Sequence, residues 1–291
     1  MTEKLRMYLD QIGPALERAL PAPAPGDPAG QVAEAMRYSL LCGGKRVRAV
    51  LALAFCELCG GSPARALPFA CAVEMVHTYS LIHDDMPCMD DDDLRRGRPA
   101  NHKVYGEAMA LLAGDGLLTL AFETALSFPD PAGAAQGARA LAQLAGYRGM
   151  VGGQCIDLDS EGGEPALELL QAMDQGKTVA LIAAACRMGC IAAGAGDREL
   201  EAAGRYAQGV GMAFQLRDDV LDVQGSAEKL GKNTGMDAAR DKRNYVSLLG
   251  VEEAQRLVHA YTEEALKALA DFPGDSGFLR GFALSLAGRE S

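Results

Sequence analysis

Apolar residues recur at intervals of three and four along most of the chain, as at Val73, Val76 and Leu81 and again at Leu117, Leu118 and Ala121. That is the period of one buried helix face. Short glycine- and proline-bearing breaks interrupt it at Pro21, Pro23, Pro25, Gly26 and Pro28, then at Gly60-Gly61-Ser62-Pro63, Pro129-Asp130-Pro131, Gly162-Gly163 and 194–197. These breaks punctuate helices rather than separate domains. None is long enough for an interdomain linker, so the pattern predicts one domain of packed helices over 1–291. Residues 225–244 depart from it, being glycine-bearing, charged and weakly periodic after an apolar helix. A mobile lid loop is the expectation there, with a plain surface connection the alternative.

Composition sharpens the class. The 291 residues are 49% hydrophobic but only 5% aromatic, with no Trp and no long runs of Val, Ile and Thr. Strong helix formers in that proportion favour an all-α protein, a single large bundle. The net charge of −11 makes nucleic acid or an anionic bilayer a poor partner. An anionic substrate must therefore be bound by a local basic cluster or through a metal. Residues 1–20 carry Glu3, Lys4, Arg6, Asp10, Glu17 and Arg18 and lack the apolar run of a signal peptide. The apolar stretch 179–196 is short and broken by Arg187, as expected of a core helix rather than a membrane span. The expectation is a cytoplasmic protein without stable membrane insertion. Of eight cysteines, Cys56 and Cys59 form one C-x-x-C without a second pair, so reduced, mostly buried thiols are expected rather than zinc.

Two acidic clusters carry the chemistry. The first is Asp84-Asp85-Met86-Pro87-Cys88-Met89-Asp90, extended by Asp91, Asp92 and Asp93; the second is Asp218-Asp219-Val220-Leu221-Asp222. An apolar helical run, 72–83, leads into the first, and Pro87 cannot continue it, which puts Asp84 and Asp85 in its last turn. Carboxylates there oppose the helix macrodipole. In the second cluster Asp218 and Asp222 lie one turn apart on one face. Hard oxygen donors without His or Cys suit Mg²⁺, which is held by one or two carboxylates together with waters and substrate phosphates. The spacing excludes an EF-hand.

Basic residues stand near the acids. Arg95, Arg96 and Arg98 follow the first cluster, Lys45, Arg46 and Arg48 lie upstream after Gly43-Gly44, and Lys177, Lys232 and Lys242 come later. Arg forks suit bidentate phosphate contact and Lys adds a compact charge. Such scattered basic spots beside two metal clusters imply two polyanionic groups in one site.

Residues 79–99 and 214–222 closely resemble the two aspartate-rich motifs of trans-isoprenyl diphosphate synthases, the polyprenyl synthetase family. The likeness is closest to bacterial-type farnesyl and plant-type geranylgeranyl diphosphate synthases, and it runs from Gly43 to about Leu249. It implies the isoprenoid synthase type I fold, a helical bundle around a deep central cavity. It implies a prenyl transferase that joins dimethylallyl or geranyl diphosphate head-to-tail to isopentenyl diphosphate and releases pyrophosphate. By the same resemblance, Asp84, Asp85, Asp90, Asp218 and Asp222 would bind three Mg²⁺ ions, with Mn²⁺ a possible substitute. Arg95, Lys177 and Lys242 would touch the allylic diphosphate, with Lys232 closing over it from the loop. Lys45, Arg48, His77 and Arg96 would hold isopentenyl diphosphate. Thr178 and Gln215 would aim oxygen dipoles at the developing cation. A homodimer is implied as well.

Tyr79 and Ser80 lie five and four residues before Asp84, about one helical turn deeper. A bulky Tyr79 is expected to floor the cavity and give mainly farnesyl diphosphate, of fifteen carbons. Pro87-Cys88-Met89-Asp90 and Asn101-His102-Lys103-Val104-Tyr105-Gly106-Glu107 look similar instead to the geranylgeranyl branch. The chain departs from the family pattern at Ala49, where a proline is usual, at Lys242-Arg243-Asn244-Tyr245-Val246 and in its C-terminal Gly288-Arg289-Glu290-Ser291. A terpene cyclase would carry an Asn/Ser/Glu triad in place of Asp218–Asp222. A silent synthase subunit would have degraded motifs, whereas both are intact. His83-Asp84 hints at an HD-type phosphohydrolase, a class that needs more metal-binding histidines than His77, His102 and His259 supply.

Overall fold

The computed structural model describes residues 2–160, 166–228 and 244–288, with only the backbone considered over 224–228. Helices follow one another with short turns: α1 (Thr2–Ala19), α2 (Gly30–Leu40), α3 (Val47–Leu58), α4 (Leu67–Asp84), α5 (Asn101–Tyr105), α6 (Glu107–Leu126), α7 (Pro131–Ala145), α8 (Met150–Asp159), α9 (Leu167–Asp174), α10 (Ala180–Ala193), α11 (Asp197–Glu228), α12 (Tyr245–Leu249), α13 (Val251–Ala268) and α14 (Gly277–Ala287). The class is all-α. Its one departure among the described residues is a hairpin of two-residue strands, β1 (Leu94–Arg95) and β2 (Arg98–Pro99). Arg96 (φ 54°) and Gly97 (φ 74°) make its turn, the two positive φ values that a type I′ turn requires.

α10 is apolar on every side and almost wholly buried, from Ala180 to Ala192, with only Arg187 reaching out. Such a helix needs neighbours all round, and α3, α4, α7 and α11 supply them. α4 is the second inner helix, burying residues from Phe69 to Ile82. The 179–196 stretch is thus a core helix, as its sequence predicts. A second stretch passes the same test of length and apolarity: α6 has a mean hydropathy of 1.4 over its best window yet is only 33% buried. Leu111, Leu112 and Leu126 stand exposed on it.

α11 runs to Glu228, so its helical backbone takes in four residues, 225–228, that the sequence assigned to a loop. Gly225 lowers helix stability by about 1 kcal/mol without forbidding the conformation. At the other end Asn244 caps α12 through a reciprocal bond pair with Ser247. The remainder of the expected lid, 229–243, lies outside the described residues, and Lys232 and Lys242 with it.

The loop before α3 is tied down from beneath. Arg46 Nη1 lies 3.3 Å from Glu74 Oε2, and the other carboxylate oxygen accepts the Ala49 backbone N–H at 3.1 Å. Glu74 is 1% exposed. Removing one partner of a buried pair leaves an uncompensated charge. Glu74→Ala should therefore lose about 3–5 kcal/mol in chemical denaturation. Asp93→Ala, which breaks the exposed pair with Lys103, should lose under about 1 kcal/mol. Equal losses in the two variants would contradict this reading of the loop.

Candidate active site

α4 ends at Asp84 because Pro87 follows, and the chain then folds back on itself. The Asp90 backbone N–H donates to the Asp84 carbonyl at 2.8 Å, and those of Met89 and Asp91 donate to the Met86 carbonyl. The turn brings Asp90 beside Asp84. Beyond it lies a cavity of about 470 Å³ lined by His77, Tyr79, Ser80 and Asp84 of α4, Arg48 of α3, and Lys177 and Thr178. A larger hollow of about 1100 Å³ flanks α8 on its other side and carries none of the predicted site residues.

Lys177 and Thr178 sit on a π-helical turn, Gln175–Val179, between α9 and α10. Two glycines allow this. A Cβ on Gly153 of α8 would fall 2.0 Å from the Lys177 backbone nitrogen, and one on Gly176 would fall 2.7 Å from the Gly153 Cα. Backbone therefore lies against backbone, which seats the turn at the cavity wall. Lys177 Nζ contacts Asp157 Oδ2 at 2.5 Å. Thr178 Oγ1 donates to Gln215 Oε1 at 3.3 Å, which fixes the face of α11 turned to the site. Asp218 and Asp222 follow Gln215 by three and seven residues and share that face; Asp218 is half-buried and Asp222 exposed. The Asp219 carboxylate accepts the Tyr245 backbone N–H at 2.8 Å, tying α11 to α12.

Charge is sorted around the cavity. Burial, with Asp90 and Asp85 nearby, pushes the Asp84 carboxyl up to about 6 against the pull of Lys177 and Arg95. Burial and then the Arg48, Arg96, Arg46 and Arg95 guanidiniums hold His77 well below its ordinary value. His77 is thus a neutral imidazole on the cationic side. Burial also pushes the Asp174 carboxyl, beside Asp157, up to about 6.

Arg96 donates to the Gly43 carbonyl. A Cβ on Gly44 (φ 115°) would come within 2.8 Å of its guanidinium. The two basic motifs are therefore in contact, with Lys45 exposed on the same loop. Asp85 and Arg95, expected at the metal and at the diphosphate, stand side by side. They hold each other, the Arg95 Nε donating to Asp85 Oδ1 at 2.9 Å and its Nη2 reaching Asp92 at 3.3 Å. Asp85 is 2% exposed, and a carboxylate so buried demands a cation.

Among the described residues, no three of His, Cys, Asp and Glu converge closely enough to hold a metal ion by themselves. The crowded Asp84 and Asp90 are all-oxygen donors, a set that fits an ion shared with substrate phosphates. Sequence reasoning missed Gln154, Asp157 and Asp174. The available signal was weak: Gln154 and Asp157 stand three apart, on one face of α8.

The polyprenyl synthetase family profile matches residues 30–271. Chloroplastic heterodimeric geranylgeranyl pyrophosphate synthase large subunit 1 of Arabidopsis thaliana is 45% identical over 272 residues, 91% of this chain and 72% of that protein. Chloroplastic geranylgeranyl pyrophosphate synthase of Catharanthus roseus is 46% identical over 246 residues, 83% of this chain and 69% of that one. The crystal structure of an FPP/GFPP synthase from Zymomonas mobilis superposes with a TM-score of 0.87 at 36% identity, over 99% of this chain and 100% of that one. The chloroplast named for both plant relatives does not match the cytoplasmic expectation.

The glycine contact gives a direct test. Gly153→Ala should displace the Lys177 turn and lower kcat about 10²-fold, since misplacement by about 1 Å costs that much, while circular dichroism still shows a folded helical protein. Unchanged turnover would mean that the turn does not position the reaction.

Proposed function

The chain belongs to the polyprenyl synthetase family and is a prenyltransferase, and we propose that it builds geranylgeranyl diphosphate by head-to-tail condensation of allylic diphosphates with isopentenyl diphosphate. The observation that carries the twenty-carbon product is the 45% and 46% identity to plant geranylgeranyl synthases over most of the chain. It displaces farnesyl diphosphate, the sequence's first expectation. One observation favours that second reading: Tyr79, 7% exposed, stands in the cavity wall with its ring against His83.

Family members bind diphosphate through divalent metal. In this chain Asp84, Asp90 and Asp218, with Asp85 and Asp222, would hold three Mg²⁺ ions, for which Mn²⁺ could substitute. Bound there, the metal supplies Lewis-acid stabilisation of the leaving diphosphate. Lys177 and Arg95 add positive charge at that group, with Lys242 and the lid residue Lys232. Lys45, Arg48, His77 and Arg96 orient isopentenyl diphosphate so that its alkene faces the ionising carbon. His77, held neutral, donates a hydrogen bond without adding to the crowd of arginines. The Thr178 and Gln215 oxygens lie where positive charge develops on the allyl group. The apolar cavity keeps water from that cation. A single domain closed by the lid expected after α11 would complete that exclusion. The exposed apolar face of α6, with Leu111, Leu112 and Leu126, is the surface on which a second copy would dock as a homodimer.

The test is incubation with Mg²⁺, labelled isopentenyl diphosphate and, in turn, dimethylallyl, geranyl and farnesyl diphosphate, followed by product sizing. Extension of all three to twenty carbons is expected, with Asp84→Asn slowing it about 10²–10³-fold. Farnesyl diphosphate left unextended would establish the fifteen-carbon reading. No condensation with any primer would overturn both.

A further inference from the structure

One wall of the cavity carries two aromatic rings of α4. Tyr79 and His83 are one turn apart on α4, so their side chains stack along one face. Their ring centroids lie 5.7 Å apart at 76°, an edge contact, and both rings line the 470 Å³ cavity. His83 Nε2 stands 3.1 Å from the Leu111 carbonyl of α6. A carbonyl only accepts, so Nε2 carries the proton and donates. One turn of α6 away, the chain leaves a seat for the imidazole. A Cβ on Gly114 would fall 2.0 Å from His83 Nε2, and the three nearest heavy atoms to it all belong to that ring. Nothing larger than glycine fits beneath His83 in this position.

We propose that His83 and Gly114 determine product length, His83 as a brace that holds the Tyr79 ring in place and Gly114 as the gap in α6 that lets the brace sit there. The inference rests on the reading that the growing prenyl tail occupies this cavity. It adds that Tyr79 acts through its support as well as its size. A tyrosine with the same bulk but no brace could turn aside for a longer chain. A brace pushed off α6 toward Tyr79 and the cavity shortens the space. Alanine is a better helix former than glycine, so at position 114 it acts through its methyl group and not by weakening α6.

Three variants test this: Gly114→Ala, His83→Ala and the double variant, each sized for products beside the wild type with Mg²⁺ and one primer. Gly114→Ala should lower the ratio of the longest product to the next shorter one at least tenfold. His83→Ala should raise that ratio at least tenfold by freeing Tyr79. The double variant should match His83→Ala within about twofold, because the methyl group then meets no ring. Wild-type product lengths in both single variants would overturn the proposal, as would a Gly114→Ala effect that persists without His83. Should Gly114→Ala fail to fold, the His83→Ala arm alone decides it. A wild type that forms no condensation product would instead defeat the functional reading beneath it.

Discussion

The site depends first on like charges gathered against one cavity. At the end of α4, Asp84 is buried with Asp90 and Asp85 close by, and its carboxyl is pushed toward neutrality. On the neighbouring wall Arg48, Arg96, Arg46 and Arg95 crowd a neutral His77. Folding alone does not reward such an arrangement, since each like-charged group raises the electrostatic energy of the next. Under the proposed function, a diphosphate substrate bridged by divalent metal would reward it, because the acids would meet cations and the arginines phosphate oxygens.

One helix sets the spacing. α4 carries Glu74, which anchors the basic loop, then His77 at the cationic wall, Tyr79 and Ser80 at the cavity and Asp84 at its acidic end. A helix rises about 1.5 Å per residue, so the distance from anchor to acid is fixed by sequence and cannot stretch. The other elements are brought to this ruler: the π turn with Lys177 by the Gly153–Gly176 contact, and α11 by the Thr178–Gln215 bond.

The parts legible in the sequence are those governed by local rules. Helical periodicity, the Pro87 stop and the paired aspartate motifs located α4, α10 and both acid clusters without any knowledge of packing. What stayed hidden depends on contacts between distant segments. Asp157 is one of two acids near the end of α8, and only the approach of α8 to the π turn gives it Lys177 as a partner. The Asp85–Arg95 pairing likewise follows from burial, which the sequence does not display. The end of α11 was placed four residues early because glycine permits a helix that it does not favour. The setting of Tyr79 is hidden for a related reason: the residue is visible in the sequence, but its edge contact with His83 and the seat of that ring over Gly114 of another helix are not.

The claim that metal and diphosphate together join the two charged walls is tested most directly by calorimetric titration of inorganic pyrophosphate into the wild-type protein, with saturating free Mg²⁺ and again with a chelator. The account predicts binding at least about hundredfold tighter with Mg²⁺, because the acids repel a bare anion and attract a metal-bound one. Equal affinity in the chelator would show that the arginines and lysines suffice, and would contradict it.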